Sequence, residues 1–206
     1  MNKLDYNIIG SSSSGNAVRI GTMMFDCGMP YNKMEEDLFK VDSLLITHAH
    51  TDHVNPKTFE KIRKNFPTIK VYANADVAYR YQVDVIVGTR KIELPRKRVI
   101  IPYEGRHDIP VTYYIVKTKD INFLYATDTN IISNPDEIPL DYVFLESNYD
   151  EKKLKALSEM YKRKGYDPYT SSLRHLSIQK CKAFYFINRR NNESELIELH
   201  KSHRFY

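Results

Sequence analysis

The sequence has no tryptophan and only two cysteines in 206 residues. Cys27 and Cys181 lie far apart and belong to no Cys-x-x-Cys pair, which argues against a disulfide framework and against a cysteine-based zinc site. Both read as small buried apolar residues. No apolar run approaches the roughly 20 residues of a membrane span, so no membrane partner is expected. The opening Met1-Asn2-Lys3-Leu4-Asp5 lacks the charged-then-apolar layout of a secretory signal, and the expected location is cytoplasmic. Acidic residues are the scarcer charge, 26 against 31 Lys and Arg, for a formal net charge of +5. A basic excess of this size is compatible with a polyanionic partner such as nucleic acid without requiring one.

What is present suits a globular chain. Hydrophobic residues make up 42%, enough for a core, and the length suits one domain over residues 1–206. The 16 tyrosines read mostly as packing residues, with base stacking as the alternative for some. Three basic clusters, Arg96-Lys97-Arg98, Lys162-Arg163-Lys164 and Arg189-Arg190, read as solvated surface sooner than as a phosphate track. The composition leaves a homo-oligomer open.

Strand-like runs come early. Tyr6-Asn7-Ile8-Ile9 and Ala17-Val18-Arg19-Ile20 flank a tight polar turn, Ser11-Ser12-Ser13-Ser14-Gly15-Asn16, and Met23-Met24-Phe25 runs into Asp26-Cys27-Gly28. Ser43-Leu44-Leu45-Ile46-Thr47 reads as a buried strand. Asn55-Pro56 is a helix-start signal, followed by Phe59, Ile62 and Phe66 at helical spacing. Further strands are expected at 70–73, 99–101, 111–116, 121–125 and 142–145, with Lys119-Asp120 as a hairpin turn. Helices are expected over 152–164, ended by Gly165, and over 176–182. The spacing then predicts a last strand at Phe184-Tyr185-Phe186-Ile187 and a last helix over 193–201. Strands with helices between and after them suit an α/β layered sandwich.

Between the buried strand and the helix start stands Thr47-His48-Ala49-His50-Thr51-Asp52-His53. Imidazole is the commonest metal ligand, and carboxylate complements it for zinc or manganese. On an extended strand, His48 and His50 would face the same side and grip one cation. Asp52 and His53, past the turn, would face a second. Two cations sharing one water generate hydroxide at neutral pH and clamp a phosphate or carbonyl.

This His-x-His-x-Asp-His pattern, between a strand and a helix, resembles the signature of the metallo-β-lactamase superfamily. The resemblance implies an α/β fold, an αββα sandwich of two mixed β-sheets flanked by helices, and a hydrolase holding Zn2+ or Mn2+, two per chain. It implies His48, His50, Asp52 and His53 as metal ligands, with Asp52 also catalytic. It adds His107, after Gly105-Arg106, as a third histidine and Asp128, in Ala126-Thr127-Asp128-Thr129, as the aspartate that bridges both metals. The serine-rich opening, Asp26-Cys27-Gly28, Leu145-Glu146-Ser147-Asn148 and Arg174-His175-Leu176-Ser177 resemble elements of the YycJ group of exonucleases. In the related tRNase Z enzymes the histidine at the His175 position serves proton transfer, so His175 is the candidate general acid, with local packing at a helix start as the alternative. Glu146 is a candidate support for that histidine or for a metal ligand, or else simply a carboxylate at a strand end. Ser13, Ser14 and Asn16 are candidate phosphate-binding residues, or else a structural turn.

The sequence departs from the family at two places. Tyr149 stands where the exonuclease group has histidine. The family's last metal-binding histidine follows the final strand, and the run read here as that strand ends in Asn188. Asn188, His200 or His203 is then the substitute, or the second metal site is impaired. The implied function is a phosphodiesterase or nuclease acting on single-stranded nucleic acid through a metal-bound hydroxide. The alternatives are a cyclic-nucleotide or other small phosphodiester hydrolase, and a degenerate, non-catalytic binding protein. A lactonase or β-lactamase ranks third.

Overall fold

The computed structural model describes residues 3–163, 165, 167–202 and 205–206. The chain forms two compact units, Met1–Tyr103 and Glu104–Tyr206. The described strands make two mixed six-stranded sheets, in the orders β1-β2-β3-β4-β5-β6 and β12-β11-β10-β9-β8-β7. No described helix is long and apolar enough to cross a membrane.

In the first unit, β1 (Tyr6–Ser12), β2 (Gly15–Ile20) and β3 (Met23–Phe25) form an antiparallel meander, with Ser13-Ser14 at the first turn. The direction then changes: β3, β4 (Ser43–Ile46), β5 (Lys70–Ala73) and β6 (Val85–Ile86) run parallel. Parallel neighbours need crossovers, supplied by α1 (Tyr31–Leu38), α2 (Pro56–Asn65) and α3 (Ala75–Arg80). Every position of β2, β3 and β4 is buried, as expected of strands covered on both faces. The α2 start follows the expected signal: the Asn55 side chain accepts from the backbone N–H groups of Lys57 and Thr58, and Pro56 opens the helix. A short hairpin, β7 (Ile92–Leu94) and β8 (Arg98–Glu104), follows.

The basic run at the start of β8 is divided: Arg96 and Lys97 are exposed, as expected of a solvated face, and Arg98 is structural. Arg98 is buried; it donates to Asp42 Oδ1 at 2.6 Å, Thr22 Oγ1 at 2.8 Å and the Pro95 carbonyl at 2.7 Å. Lys164 of the second basic cluster lies outside the described residues. In the third, Arg190 pairs with buried Asp141.

In the second unit, β9 (Thr112–Lys117) and β10 (Asn122–Ala126) form the expected hairpin, and β11 (Tyr142–Glu146) pairs parallel with β10. Then come α4 (Glu151–Lys162), α5 (Pro168–Ser172), α6 (Ile178–Asn188) and β12 (Glu195–Leu199). Two expectations are reversed here. The aromatic run 184–187 is the end of a helix, because Ser177 caps α6 by accepting from Lys180 N–H and the turn propagates through the run. Phe184 is buried while Phe186 and Ile187 face solvent, so the run has no strand-like alternation of faces. Conversely, Glu195-Leu196-Ile197-Glu198-Leu199 is composed of helix formers plus one isoleucine, yet it pairs with β11 from Tyr142↔Glu195 to Glu146↔Leu199. Tertiary pairing with a fully buried strand outweighs the few tenths of a kcal/mol per residue of helix propensity.

Candidate metal centre

The His-x-His-x-Asp-His segment lies beyond the strand. β4 ends at Ile46, so His48 and His50 are brought together by a loop and not by strand alternation. The loop is closed by His53 N–H and Val54 N–H, both donating to the His50 carbonyl, at 2.9 and 2.8 Å. Two distant segments clamp it. Asn16 N–H donates to the Asp52 carbonyl at 2.7 Å, Cys27 N–H donates to the His53 carbonyl at 2.8 Å, and Gly28 N–H donates to the Asn16 carbonyl at 2.9 Å. The approach at Gly28 leaves no room for a side chain, since a Cβ there would stand 1.7 Å from the Asp52 carbonyl oxygen. The serine-rich hairpin and Asp26-Cys27-Gly28 thus build the floor of the histidine loop.

The rings are held by their far nitrogens. Asp26, fully buried, takes His53 Nδ1–H on Oδ2 at 2.8 Å and Thr47 N–H on Oδ1 at 2.8 Å. Thr47 Oγ1–H donates to Asp26, so its lone pair receives Nδ1–H of His48 at 3.0 Å. These bonds assign both imidazoles the Nδ1–H tautomer, in which Nε2 is the nitrogen able to accept or to ligate a cation. His48 Nε2 lies 3.1 Å from His50 Nδ1, and His53 Nε2 lies 3.6 Å from Asp52 Oδ2. Convergence of ring nitrogens and a carboxylate, with His53 backed by Asp26 and His48 by Thr47, is the donor chemistry a divalent cation requires.

Of the expected phosphate-binding residues, Ser13 and Ser14 are exposed at the hairpin tip. Asn16 is buried, and its Nδ2 donates to the Ser12 carbonyl at 3.0 Å and approaches His53 Nε2 at 2.9 Å. Its place is therefore beneath the histidine loop.

The second unit gathers another cluster. Ligand atoms of Asp128, Glu146, His175 and His200 all lie within 4.8 Å of one another. Glu146, at the end of β11 and fully buried, accepts His175 Nδ1–H at 2.6 Å and lies 3.2 Å from His200 Nδ1. Its other oxygen accepts Thr129 N–H at 3.1 Å and Leu176 N–H at 3.3 Å. Asp128 Oδ1 lies 3.3 Å from His175 Nδ1 and 3.6 Å from His200 Nε2. Burial opposes charge on His175, but hydrogen bonds to Asp128 and Glu146 prevail and hold its pKa up to about 10. His200 is likewise raised against its burial by Asp128 and Glu146. Burial alone would raise the Glu146 carboxyl, but His175 and His200 bring it below its ordinary value. His107 is shifted the other way, its pKa lowered chiefly by burial, and its Nε2 contacts Asp108 Oδ1 at 2.9 Å. The loop carrying His107 is stitched to the Asp128 loop: Arg106 N–H donates to Thr129 Oγ1 at 3.0 Å, and Asn130 N–H donates to the Arg106 carbonyl at 3.1 Å.

Asp26, Asp128 and His200 share a backbone feature. Each sits just past a strand end, with φ of 61°, 52° and 51°. The left-handed conformation costs a residue with a Cβ about 1–2 kcal/mol, and it is found where packing fixes a functional side chain.

No family model matches the sequence, and no curated protein matches it. Solved structures do. The YhfI metallo-β-lactamase fold protein of Bacillus subtilis aligns over 97% of this chain and 86% of its own, with TM-score 0.71 and 16% identity. The short form of human tRNase Z aligns over 97% and 93%, with TM-score 0.66 and 15% identity. This chain adopts the metallo-β-lactamase fold. A diphosphatase of the PhnP family aligns over 98% and 89%, with TM-score 0.69 and 18% identity.

With the true order of elements, this metallo-β-lactamase-fold chain has a histidine after its final strand. His200 follows β12 directly and is buried beside Asp128 and Glu146. Because the run 184–187 is helical, the residue that follows the final described strand is His200 and not Asn188. Asn188 takes no such place: its amide, in α6, donates to the Phe184 carbonyl and accepts from Asn134. His203 lies outside the described residues. Tyr149 is buried in a small core cluster with Leu154 and Phe205. Sequence reasoning also passed over Asp26 as a site residue. Its signal was an aspartate ending a strand before a cysteine and an obligatory glycine.

Proposed function

We propose that this chain is a metal-dependent phosphodiesterase acting on single-stranded nucleic acid. The ligands assigned to its two cations are His48, His50, Asp52, His53, His107, Asp128 and His200. The observation that carries the reading is the buried carboxylate behind the imidazoles. Asp26 fixes His53, and Glu146 fixes His175 and His200, an arrangement that orients histidines for metal and raises their basicity. Imidazole with carboxylate suits zinc and manganese alike.

Bound divalent cations would supply Lewis acidity, both for activating water near neutral pH and for neutralising charge on the phosphoryl oxygens. The chain's own groups complete the chemistry. Asp52, next to His53 and 28% exposed, receives the proton of the attacking water. A bond forms from the water oxygen to phosphorus as the bond to the leaving oxygen breaks. His175 has Nδ1 on Glu146 and therefore delivers the proton to the leaving oxygen from Nε2. Glu146 keeps that ring in place. The basic excess suits a polyanion, and two structural neighbours are by name a tRNase and a diphosphatase.

The test is metal content by elemental analysis together with hydrolysis of bis(p-nitrophenyl) phosphate. Two cations per chain are expected, with turnover lost in Asp128→Ala. Cations bound without turnover would make this a binding protein. Cleavage of cyclic nucleotides with no cleavage of single-stranded oligonucleotides would move the substrate to small phosphodiesters.

A further inference from the structure

The residue before the general acid has no part in the chemistry above. Arg174 directly precedes His175, and its side chain is 52% exposed. Its Nη1 donates to Asp108 Oδ2 at 3.2 Å, the only hydrogen bond of that side chain among the described residues. The other oxygen of Asp108 lies 2.9 Å from His107 Nε2. Asp108 thus ties the guanidinium to the loop of one site histidine, and the chain itself ties it to the other. The rings of His107 and His175 stand 5.6 Å apart between centroids, so the two anchors converge. The backbone under Arg174 is fixed as well. His175 N–H donates to the Ser172 carbonyl at 3.0 Å, and Asn130 Nδ2 donates to the Leu173 carbonyl at 2.7 Å.

An exposed arginine–aspartate pair joined by one bond adds little to stability. What the bond does is hold the fork. A guanidinium has five N–H donors; Asp108 takes one, and the other four keep the planar geometry that matches two oxygens of a phosphate at once. Both Asp108 oxygens are engaged, by Arg174 and by His107, so the carboxylate steadies the fork and leaves most of its donors to a ligand. Arg106, exposed on the loop of His107, is a second cation and offsets Glu104 at the end of β8. An uncharged ligand has no use for an exposed, steadied guanidinium, and an anion does. The scissile phosphate lies against the metal ligands and His175. Arg174 is held on the exposed rim of that centre, where a strand runs on past the scissile bond and carries its next phosphate.

We propose that Arg174 binds the substrate phosphate one nucleotide away from the scissile one, which makes the site selective for a strand over a diester with a single phosphate. The assignment rests on the phosphodiesterase reading and narrows its substrate.

Equilibrium binding of two thymidine dinucleotides to the full chain in the presence of zinc tests it. TpT has one phosphate, and pTpTp has the same phosphate with one more on either side; both carry a methylene-bridged internucleotide link that resists hydrolysis. The second is expected to bind at least about tenfold more tightly. Arg174→Gln, at an exposed position, is expected to reduce that preference to about threefold or less. It is also expected to make the dependence of log Kd on log salt for pTpTp shallower by about 0.7, the share of one single-strand phosphate contact. Arg174→Lys, which keeps the charge and loses the fork, is expected to keep the salt dependence and only part of the preference. A wild-type preference within about twofold would overturn the proposal, as would an unchanged preference and salt dependence in Arg174→Gln. Thymidine 5′-diphosphate binding as tightly as pTpTp would also overturn it, since the two phosphates would then be contiguous and not one nucleotide apart. Hydrolysis of bis(p-nitrophenyl) phosphate, which has a single phosphate, reads the hydrolase function separately. Its failure alongside a tenfold preference lost in Arg174→Gln would sink the catalytic reading and leave the subsite standing.

Discussion

Replacing Asp26 with asparagine removes one charge at the base of the histidine loop while keeping its shape. Asparagine tolerates the φ of 61° at this position, so the backbone is not the variable. The carboxylate accepts from three donors, Thr47 N–H, Thr47 Oγ1–H and His53 Nδ1–H, using both oxygens. The amide has one acceptor edge. If its oxygen serves Thr47, its NH2 group faces His53 and forces the ring into the Nε2–H tautomer, which cannot ligate through Nε2. If its oxygen serves His53, the buried Thr47 N–H is left unpaired. Loss of a carboxylate that orients a ligand typically costs 10–100-fold in metal affinity. One unsatisfied buried group costs about 1–3 kcal/mol of stability. For a chain of this length that is a Tm lower by about 2–4 °C per kcal/mol. Zinc affinity by competition with a chromophoric chelator reads the first effect. Thermal unfolding in excess chelator reads the second without the metal. Zinc affinity within about twofold of wild type would refute the claim that Asp26 sets the tautomer of His53.

Three other outcomes are expected. Gly28→Ala should leave the first unit unable to close its histidine loop, because the added carbon meets the Asp52 carbonyl at 1.7 Å; Gly21→Ala, whose φ is 57° with nothing within 4 Å, should cost only about 1–2 kcal/mol in urea denaturation. His200→Ala should reduce the bound cations measured by elemental analysis, and unchanged stoichiometry would remove His200 from the ligand set. The Asp42 carboxyl meets opposing influences, burial raising its pKa and hydrogen bonds from Arg98 and Ser43 lowering it, and the net shift is downward. A carboxyl lowered on folding stabilises above its unfolded pKa and loses that contribution as pH falls through its folded pKa. The urea midpoint should therefore drop from about pH 5 downward, and less steeply in Arg98→Met.

Much of this protein is set by short-range pattern. The buried run 43–46, the Asn55-Pro56 cap and the hairpin at Lys119-Asp120 are local signals, and each element forms where its residues place it. The His-x-His-x-Asp-His segment announces metal chemistry because no structural need groups three imidazoles and a carboxylate within six residues. The C-terminal elements are different. Phe184-Tyr185-Phe186-Ile187 has the composition of a strand and is helical, whereas Glu195–Leu199 is rich in helix formers and is a strand. In the first, the choice lies with the Ser177 cap and the turns that propagate from it through α6; in the second, with the edge of β11, about fifty residues away in the chain. That choice moves His200 from the inside of a supposed helix to the end of a strand, and with it the apparent loss of a ligand disappears. The role of Asp26 is equally tertiary. Nothing near residue 26 in sequence shows that Thr47 and His53 will deliver their N–H groups to it. Only the pairing of β3 with β4 brings the carboxylate beneath the ring it orients.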